Sequence, residues 1–128
     1  MPAFERLLYT SRATEPLGTL ELFNLLNHAR QKNAQLDITG HLLYAKGQFT
    51  QCVEGPTASL ERLWQSLLKD TRHTDIQLLT RSTCEARRFA DWSMAFSSYR
   101  YLNTFSMPGF FPIDEDDQNM QSRLCMQR

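Results

Sequence analysis

A β-hairpin that turns at residues 45–48 constrains the fold of this chain more than any other feature. Its turn residues, Ala-Lys-Gly-Gln, separate two runs that are rich in hydrophobic and β-branched side chains. Because side chains alternate across a strand, the second arm places Phe49, Gln51 and Val53 on one face. The face that carries two large hydrophobic side chains therefore also carries a primary amide.

The amide of Gln51 is the first candidate functional group. A buried amide without a hydrogen-bond partner costs about 1–3 kcal/mol, so Gln51 needs a polar partner inside the fold. A bound ring that is mostly apolar and has a polar edge would supply one. An edge position, or a hydrogen bond to a neighbouring loop, would satisfy the amide as well, and the hairpin alone favours these structural explanations.

Length, charge and cysteine content limit the class of protein. A chain of 128 residues, 41% of them hydrophobic, suits a single domain. Its 14 basic and 14 acidic residues cancel, which leaves no electrostatic basis for binding nucleic acid or an anionic membrane. The three cysteines have no CxxC spacing, and no apolar run approaches the length of a membrane span. We therefore expect a cytoplasmic protein that lacks a disulfide framework and binds neither nucleic acid nor a membrane.

Two stretches have the periodicity of amphipathic helices. Thr19 can cap the first helix, and Pro56 occupies the favoured first turn of the second. Apolar side chains recur at helical spacing in both. They are Leu22, Leu25, Leu26 and Ala29 in the first helix, and Leu60, Leu63, Trp64, Leu67 and Leu68 in the second.

Five short apolar runs are predicted to be strands. They span residues 4–10, 39–45, 49–54, 76–81 and 92–96. Together with the helices they give the order βαββαββ, which predicts a ferredoxin-like α+β fold. We expect a mixed five-stranded sheet with both helices on one face. Alternation in the last strand would place Trp92, Met94 and Phe96 on the same face of this sheet.

Motifs of common enzymes and metal sites are absent from the sequence. It contains no Gly-rich phosphate loop, no HExxH and no GxSxG. The three histidines lack metal-ligand spacing, so we expect no metal site. Asp70, Arg72 and His73 form a dense polar cluster after the second helix. This cluster is either a solvated helix end, which its spacing favours, or a contact for an anionic or polyol group, with Arg72 and His73 as donors.

Five segments of the chain together resemble a BLUF domain, the small blue-light sensor module that binds FAD. The resemblance covers residues 4–96, about three quarters of the chain. Each segment is weakly specific alone, whereas five in the expected order and spacing are a strong signal. They are Leu7-Leu8-Tyr9-Thr10-Ser11, Asn33 with Asp37-Ile38-Thr39-Gly40, Phe49-Thr50-Gln51-Cys52-Val53-Glu54-Gly55, Asp70-Thr71-Arg72-His73, and Phe89-Ala90-Asp91-Trp92-Ser93-Met94.

The resemblance implies roles for several residues around the flavin ring. Tyr9 corresponds to the tyrosine that gives an electron and then a proton to the excited flavin. Gln51 corresponds to the glutamine between that phenol and the flavin N5/C4=O edge, and Asn33 to the asparagine that binds the pyrimidine part of the ring. Lys32 stands where many members have an amide or a histidine, so its contact with the C2=O side is left open. Asp37 replaces a glycine that often precedes Ile-Thr-Gly.

Other matched positions concern the rest of the cofactor and the light signal. Asp70, Arg72 and His73 correspond to positions near the ribityl and phosphate portion. Trp92 and Met94 correspond to a pair that relays the signal from beside the glutamine, although ordinary core positions also explain both. In the family the isoalloxazine lies between the two helices, against the sheet.

The resemblance implies a photoreceptor rather than an enzyme. We expect a flavin-binding domain in residues 1–98 and a C-terminal cap and output tail in residues 99–128, as in short-type members. Aromatic side chains of this tail should cover the sheet face opposite the helices or a partner, because they are too many to leave in water. A downstream signalling protein and a homo-oligomer are the expected partners. The alternatives are a flavin-free ferredoxin-like module for a small ligand or RNA, or a flavin enzyme, although no dinucleotide fingerprint is present.

Overall fold

A computed structural model describes residues 4–99 and 108–113 of the chain. Within these residues the elements are β1 (Phe4–Ala13), α1 (Thr19–Gln35), β2 (Thr39–Ala45), β3 (Gln48–Pro56), α2 (Thr57–Lys69), β4 (His73–Cys84), β5 (Ala95–Tyr99) and β6 (Phe110–Ile113). The strands of this described part form one mixed sheet in the order β4-β1-β3-β2-β5-β6. The predicted ferredoxin-like α+β fold is confirmed, with a sixth strand because β6 pairs with β5 at the sheet edge.

Strand register brings the candidate residues of different strands together. β1 and β3 are antiparallel, and Tyr9 lies opposite Gln51. β2 and β3 are also antiparallel, with Leu42 opposite Gln51, while β5 runs parallel to β2 with Phe96 beside Leu42. Residues directly opposite each other on neighbouring strands point to the same face. The side chains of Tyr9, Gln51 and Phe96 therefore all point toward the helices.

The hairpin between β2 and β3 turns where the sequence predicts. Lys46 and Gly47 both have positive φ, 55° and 74°. Two successive residues with positive φ are typical of the type I′ turn, whose twist matches that of the flanking strands. Asp37 also has a positive φ of 60°, which accounts for the glycine that often occupies this position in the family. Aspartate tolerates the left-handed conformation better than most residues.

Both helices pack on one face of the sheet and enclose the main hydrophobic core. Leu22 and Leu26 of α1 and Leu60 and Leu63 of α2 are buried in it, together with apolar side chains of β1, β2, β3 and β5. The helical spacing predicted these positions. Leu68 was also expected on this face but is 52% exposed. It lies at the margin of the apolar stripe of α2, one residue beyond Leu67, which packs against this core.

The opposite face of the sheet carries a smaller hydrophobic cluster of Leu8, Leu43, Cys52 and Phe89, against which Ile113 of β6 packs. The ring of Phe111 also lies on this side, with its centroid 6.1 Å from that of His41. Phe110 instead packs on Phe96 in the main core, at 5.4 Å. β6 therefore contributes aromatic residues to both faces. Phe105 and the other tail residues at 100–107 and 114–128 fall outside the described residues.

The start of α1 differs from the prediction. Gly18, rather than Thr19, is the N-cap residue, and Thr19 is the first helical residue. The Gly18 N–H donates a hydrogen bond to Glu21 Oε1 at 3.1 Å. A carboxylate three residues into the helix thus satisfies the backbone donor at its start, as the glutamate of a capping box does.

The fifth strand begins at Ala95, and the predicted start at Trp92 is wrong. Pairing with β2 starts at His41 and Ala95, so the residues before Ala95 form a loop in which strand alternation does not apply. Met94 and Phe96 belong to the core that faces the helices. The ring of Trp92 instead lies 6.4 Å from that of Phe111. The expectation that Trp92 shares a face with Met94 is therefore wrong.

Candidate functional site

A cavity of about 340 Å³ lies between α1 and α2, against the sheet. Its apolar walls come from both helices and from two strands, through Leu25, Ala29, Leu63, Leu67, Leu42 and Phe49. All seven residues predicted to bind the cofactor also line it: Tyr9, Lys32, Asn33, Gln51, Asp70, Arg72 and His73. An apolar cleft with a few convergent polar groups is typical of a small-molecule site.

Tyr9 and Gln51 form the polar centre of the cavity floor. Because β1 and β3 place them opposite each other, the Tyr9 hydroxyl can donate a hydrogen bond to Gln51 Oε1, and it does so. Tyr9 is only 1% exposed. Burial, with a smaller contribution from the charge of Asp70, raises the pKa of Tyr9 above its ordinary value of about 10. The phenol therefore holds its proton at neutral pH.

The other end of the Gln51 amide meets Met94. Gln51 Nε2 lies 3.6 Å from Met94 Sδ, which accepts its hydrogen bond. Met94 is fully buried and directly precedes β5. A thioether is a weak acceptor, so this amide N–H has a partner that a stronger acceptor could replace. Tyr9, Gln51 and Met94 thus form a continuous chain of contacts from the cavity floor to the start of β5.

Asn33 and Lys32 lie at the end of α1, on the helical side of the cavity. Asn33 is buried, and its Nδ2 donates to the Ser93 carbonyl at 2.8 Å. Lys32 Nζ donates to Ser66 Oγ of α2 at 2.7 Å. Lys32 therefore reaches across the space between the helices, and its contact with the C2=O side of a flavin stays a prediction.

A charged pair marks the mouth of the cavity. Arg72 donates to both carboxylate oxygens of Asp70, with its shortest contact from Nη2 to Oδ2 at 2.7 Å. The hydrogen bond from Arg72 lowers the pKa of Asp70 to about 2, and the same bond raises the pKa of Arg72. The Arg72 side chain remains 57% exposed. The cluster is thus a solvent-exposed helix end that also lines the cavity.

His73 is held by two hydrogen bonds beside this pair. Its Nε2 lies 2.9 Å from the Leu67 carbonyl, and its Nδ1 lies 2.9 Å from Ser11 Oγ. Because a carbonyl oxygen can only accept, Nε2 carries a proton and donates it to Leu67. These bonds connect β1 and the start of β4 to the end of α2, at the edge of the cavity.

Trp92 lies away from the cavity, although sequence reasoning grouped it with the switch residues. Its indole packs over Gly109, where an added Cβ would be 2.9 Å from the ring. Sequence reasoning also missed Ser66 and Arg30, which bond to Lys32 and to the Met94 carbonyl. Their partners are 34 and 64 residues away along the chain, and no local pattern signals such contacts.

Comparison with known proteins identifies the family. Residues 4–95 match the family described as sensors of blue-light using FAD, BLUF. The chain is 37% identical over 100 residues to photoactivated adenylate cyclase subunit beta of Euglena longa, which covers 77% of this chain and 12% of that protein. It matches the dark-state structure of the BLUF protein BlrB with a TM-score of 0.73 and 33% identity, covering 80% of this chain and 78% of that one. It matches the photo-activated state of BlsA with a TM-score of 0.73 and 30% identity, covering 95% and 92%.

The chain belongs to the BLUF family of blue-light sensors that bind a flavin. It spans about 12% of the length of the Euglena longa cyclase subunit, so the activity of that whole protein is not carried over. In residues 4–99 and 108–113, no helix is both long and apolar enough to span a membrane.

Proposed function

We propose that this protein is a non-enzymatic blue-light photoreceptor that binds FAD between α1 and α2 and signals to a partner protein. The observation that carries the proposal is the chain of contacts from Tyr9 through Gln51 to Met94. It joins a buried phenol to a primary amide, and that amide to the residue before β5. Such a chain can convert a proton movement at the cavity floor into a rearrangement at one strand.

The lining of the cavity fits a flavin. A flavin ring has a flat apolar body and one edge of carbonyl oxygens and ring nitrogens, so it needs apolar walls and donors along one side. Side-chain N–H donors come from Gln51, Asn33 and Lys32, within walls that are otherwise largely apolar. At the mouth, the exposed guanidinium of Arg72 suits a phosphate of the cofactor. We propose FAD because the family is described by that cofactor.

A bound flavin supplies blue-light absorption and an excited state that accepts an electron. Tyr9 would provide this electron and its phenolic proton, and its burial and neutral phenol support this role. Once the proton has left, Tyr9 no longer donates to Gln51 Oε1. The amide of Gln51 can then rotate or tautomerise, which exchanges the positions of its donor and its acceptor with little movement of the backbone. The electron and the proton would then return to Tyr9, so that the rearranged state again holds a neutral phenol.

The exchange at Gln51 has consequences on two sides. Toward the ring, the Gln51 amide would donate more strongly to a carbonyl of a bound flavin, which would shift its absorption to longer wavelength. Toward β5, the Gln51 group that faces Met94 Sδ changes from an N–H donor to a carbonyl oxygen, which repels the sulfur lone pairs. Met94 is then driven to repack, and an unbranched, flexible side chain is well suited to do so.

We further propose that residues 1–98 carry the photochemistry and that residues 99–128 carry the output. Met94 directly precedes β5, and β5 leads into this C-terminal tail. β6, which lies in the tail, pairs with β5 and contacts both faces of the sheet. The downstream protein partner, the homo-oligomer and the cytoplasmic location stay predictions from the sequence.

Purification followed by absorption spectroscopy tests the proposed function. The full chain should be yellow, release FAD rather than FMN on denaturation, and show a reversible red shift of its absorption under blue light. A colourless protein that does not bind added FAD would contradict the proposal. A bound flavin whose spectrum bleaches under blue light with an added electron donor, without the red shift, would favour flavin redox chemistry instead.

A further inference from the structure

Arg30 of α1 binds two carbonyl groups that belong to different parts of the chain. Its Nε donates to the Met94 carbonyl at 2.8 Å, and its Nη2 donates to the Pro108 carbonyl at 2.7 Å. The guanidinium is planar and rigid, so its two donors hold the two carbonyls at a set separation. Arg30 is not among the residues that line the cavity between the helices.

We propose that Arg30 is a positioning residue that transmits the rearrangement at Gln51 to the turn at Pro108 and Gly109, which precedes β6. The inference rests on the proposed function, in which Gln51 responds to light. It assigns a residue to the path by which the signal leaves the flavin site.

Near the cavity, the proposed path passes through a single residue, Met94. The Met94 side chain accepts a hydrogen bond from Gln51, and the Met94 backbone carbonyl accepts one from Arg30. The preceding carbonyl, of Ser93, is held by the cavity residue Asn33. A repacking of Met94 that moves its backbone must therefore either stretch the bond to Arg30 or carry the guanidinium with it.

The far side of the path is too tightly packed to absorb such a movement. The Gly109 carbonyl accepts a hydrogen bond from Phe96 N at 2.9 Å, and the Gly109 φ is +80°. An added Cβ at Gly109 would lie 2.9 Å from the Trp92 ring and 3.0 Å from Arg30 Nη2. Displacement of the guanidinium therefore pushes on this turn and on Trp92, which in turn contacts Phe111 of β6. In this account Trp92 responds to the signal at the outer end of the path rather than beside Gln51.

Amide hydrogen exchange on the full FAD-loaded chain, measured in the dark and under blue light, tests the proposal. Arg30→Met keeps the aliphatic stem and removes the donors. In the wild type, the amide exchange rates of Phe96, of residues 109–111 and of Ile113 should differ between light and dark by at least about fivefold, the lower end of typical coupling between sites. In Arg30→Met the red shift should keep its size, while the light-to-dark ratio of these rates should fall to about one. Loss of packing alone would speed exchange in both states and leave the ratio unchanged.

Two further variants sharpen the test. Arg30→Lys keeps the charge, but a single ammonium lacks the planar fork that holds two carbonyls, so it should lose the light-to-dark ratio as Arg30→Met does. It also serves if Arg30→Met does not fold. Arg87→Met is the matched control, because Arg87 also donates to a backbone carbonyl, that of Asp37 at 2.9 Å, in another loop. Arg87→Met should keep both the red shift and the ratio.

The outcomes separate this inference from the proposed function. A wild-type protein without a red shift contradicts the proposed function itself. A wild-type red shift without any light-dependent amide exchange at residues 109–111 and Ile113 overturns the role of the turn. A ratio that survives in both Arg30 variants overturns the role of Arg30, and so does a red shift that disappears in them, since Arg30 would then act in the photochemistry.

Discussion

The hydrogen bond between Tyr9 and Gln51 predicts an unequal loss of stability when either partner is removed. Tyr9 is 1% exposed and donates its hydroxyl to Gln51, whereas Gln51 itself is partly exposed. Gln51→Leu deprives a buried hydroxyl of its acceptor and should lower the free energy of unfolding by about 1–3 kcal/mol. Tyr9→Phe leaves an amide that other polar groups can reach, and should cost only about 0.5–1.5 kcal/mol.

A double-mutant cycle completes this prediction. The variant Tyr9→Phe/Gln51→Leu leaves neither group unpaired, so its cost should be smaller than the sum of the two single costs by about 0.5–3 kcal/mol. Urea unfolding in the dark at a fixed excess of FAD, followed by circular dichroism, gives the four values. The affinity of each variant for FAD must also be measured, because ligand binding adds to the apparent stability.

The double-mutant cycle has a matched control at Gln65, and one outcome would contradict the predicted dependence of Tyr9 on Gln51. Gln65 is an exposed residue of α2 whose amide bonds to Glu61 one turn earlier. Gln65→Leu should change the stability by less than about 0.5 kcal/mol. Equal costs for the two single variants, together with an additive double variant, would show that the Tyr9 hydroxyl does not depend on Gln51.

Three further predictions concern photochemistry, pH and the C-terminal tail. Tyr9→Phe should still bind FAD but show no red shift and brighter flavin fluorescence, since the electron donor has gone; an intact photocycle would point to another donor. Burial lowers the pKa of His41 to about 4, so the folded state keeps it neutral. The contribution of neutral His41 to the free energy of unfolding should therefore be fully present above the unfolded pKa of about 6.5 and should fall by about 2–3 kcal/mol as the pH drops toward 4. In urea unfolding, His41→Gln should lack this part of the decrease. Truncation after Ser98 should leave the red shift largely intact, lower solubility and abolish light-dependent association with a partner in pull-down; association that survives would place the output elsewhere.

Much of the fold follows from local pattern. Alternation along β3 placed Gln51 on the face that also carries Phe49 and Val53, and those two side chains are buried in the main core. Helical spacing likewise placed Leu22 and Leu60 against the sheet. These predictions hold because each depends only on the geometry of a single element.

The errors arise where pairing between distant segments decides the structure. The start of β5 depends on its pairing with β2 at His41, and no local feature marks this boundary, so Trp92 was placed on the wrong side. β6 is four residues long and contains Pro112, which suits an edge strand but gives little signal in the sequence. The contacts of Lys32 and Arg30 are made by long, flexible side chains, whose partners depend on how the helices lie against the sheet.

The role of Gln51 as the light-responsive group is tested most directly by the light-minus-dark absorption spectrum of Gln51→Leu loaded with FAD. Leucine fills a similar volume but can neither accept from Tyr9 nor donate to a ring carbonyl. The account predicts that Gln51→Leu binds FAD and shows no reversible red shift, while wild type and Gln65→Leu show the same full shift. A red shift of normal size in Gln51→Leu would contradict the account.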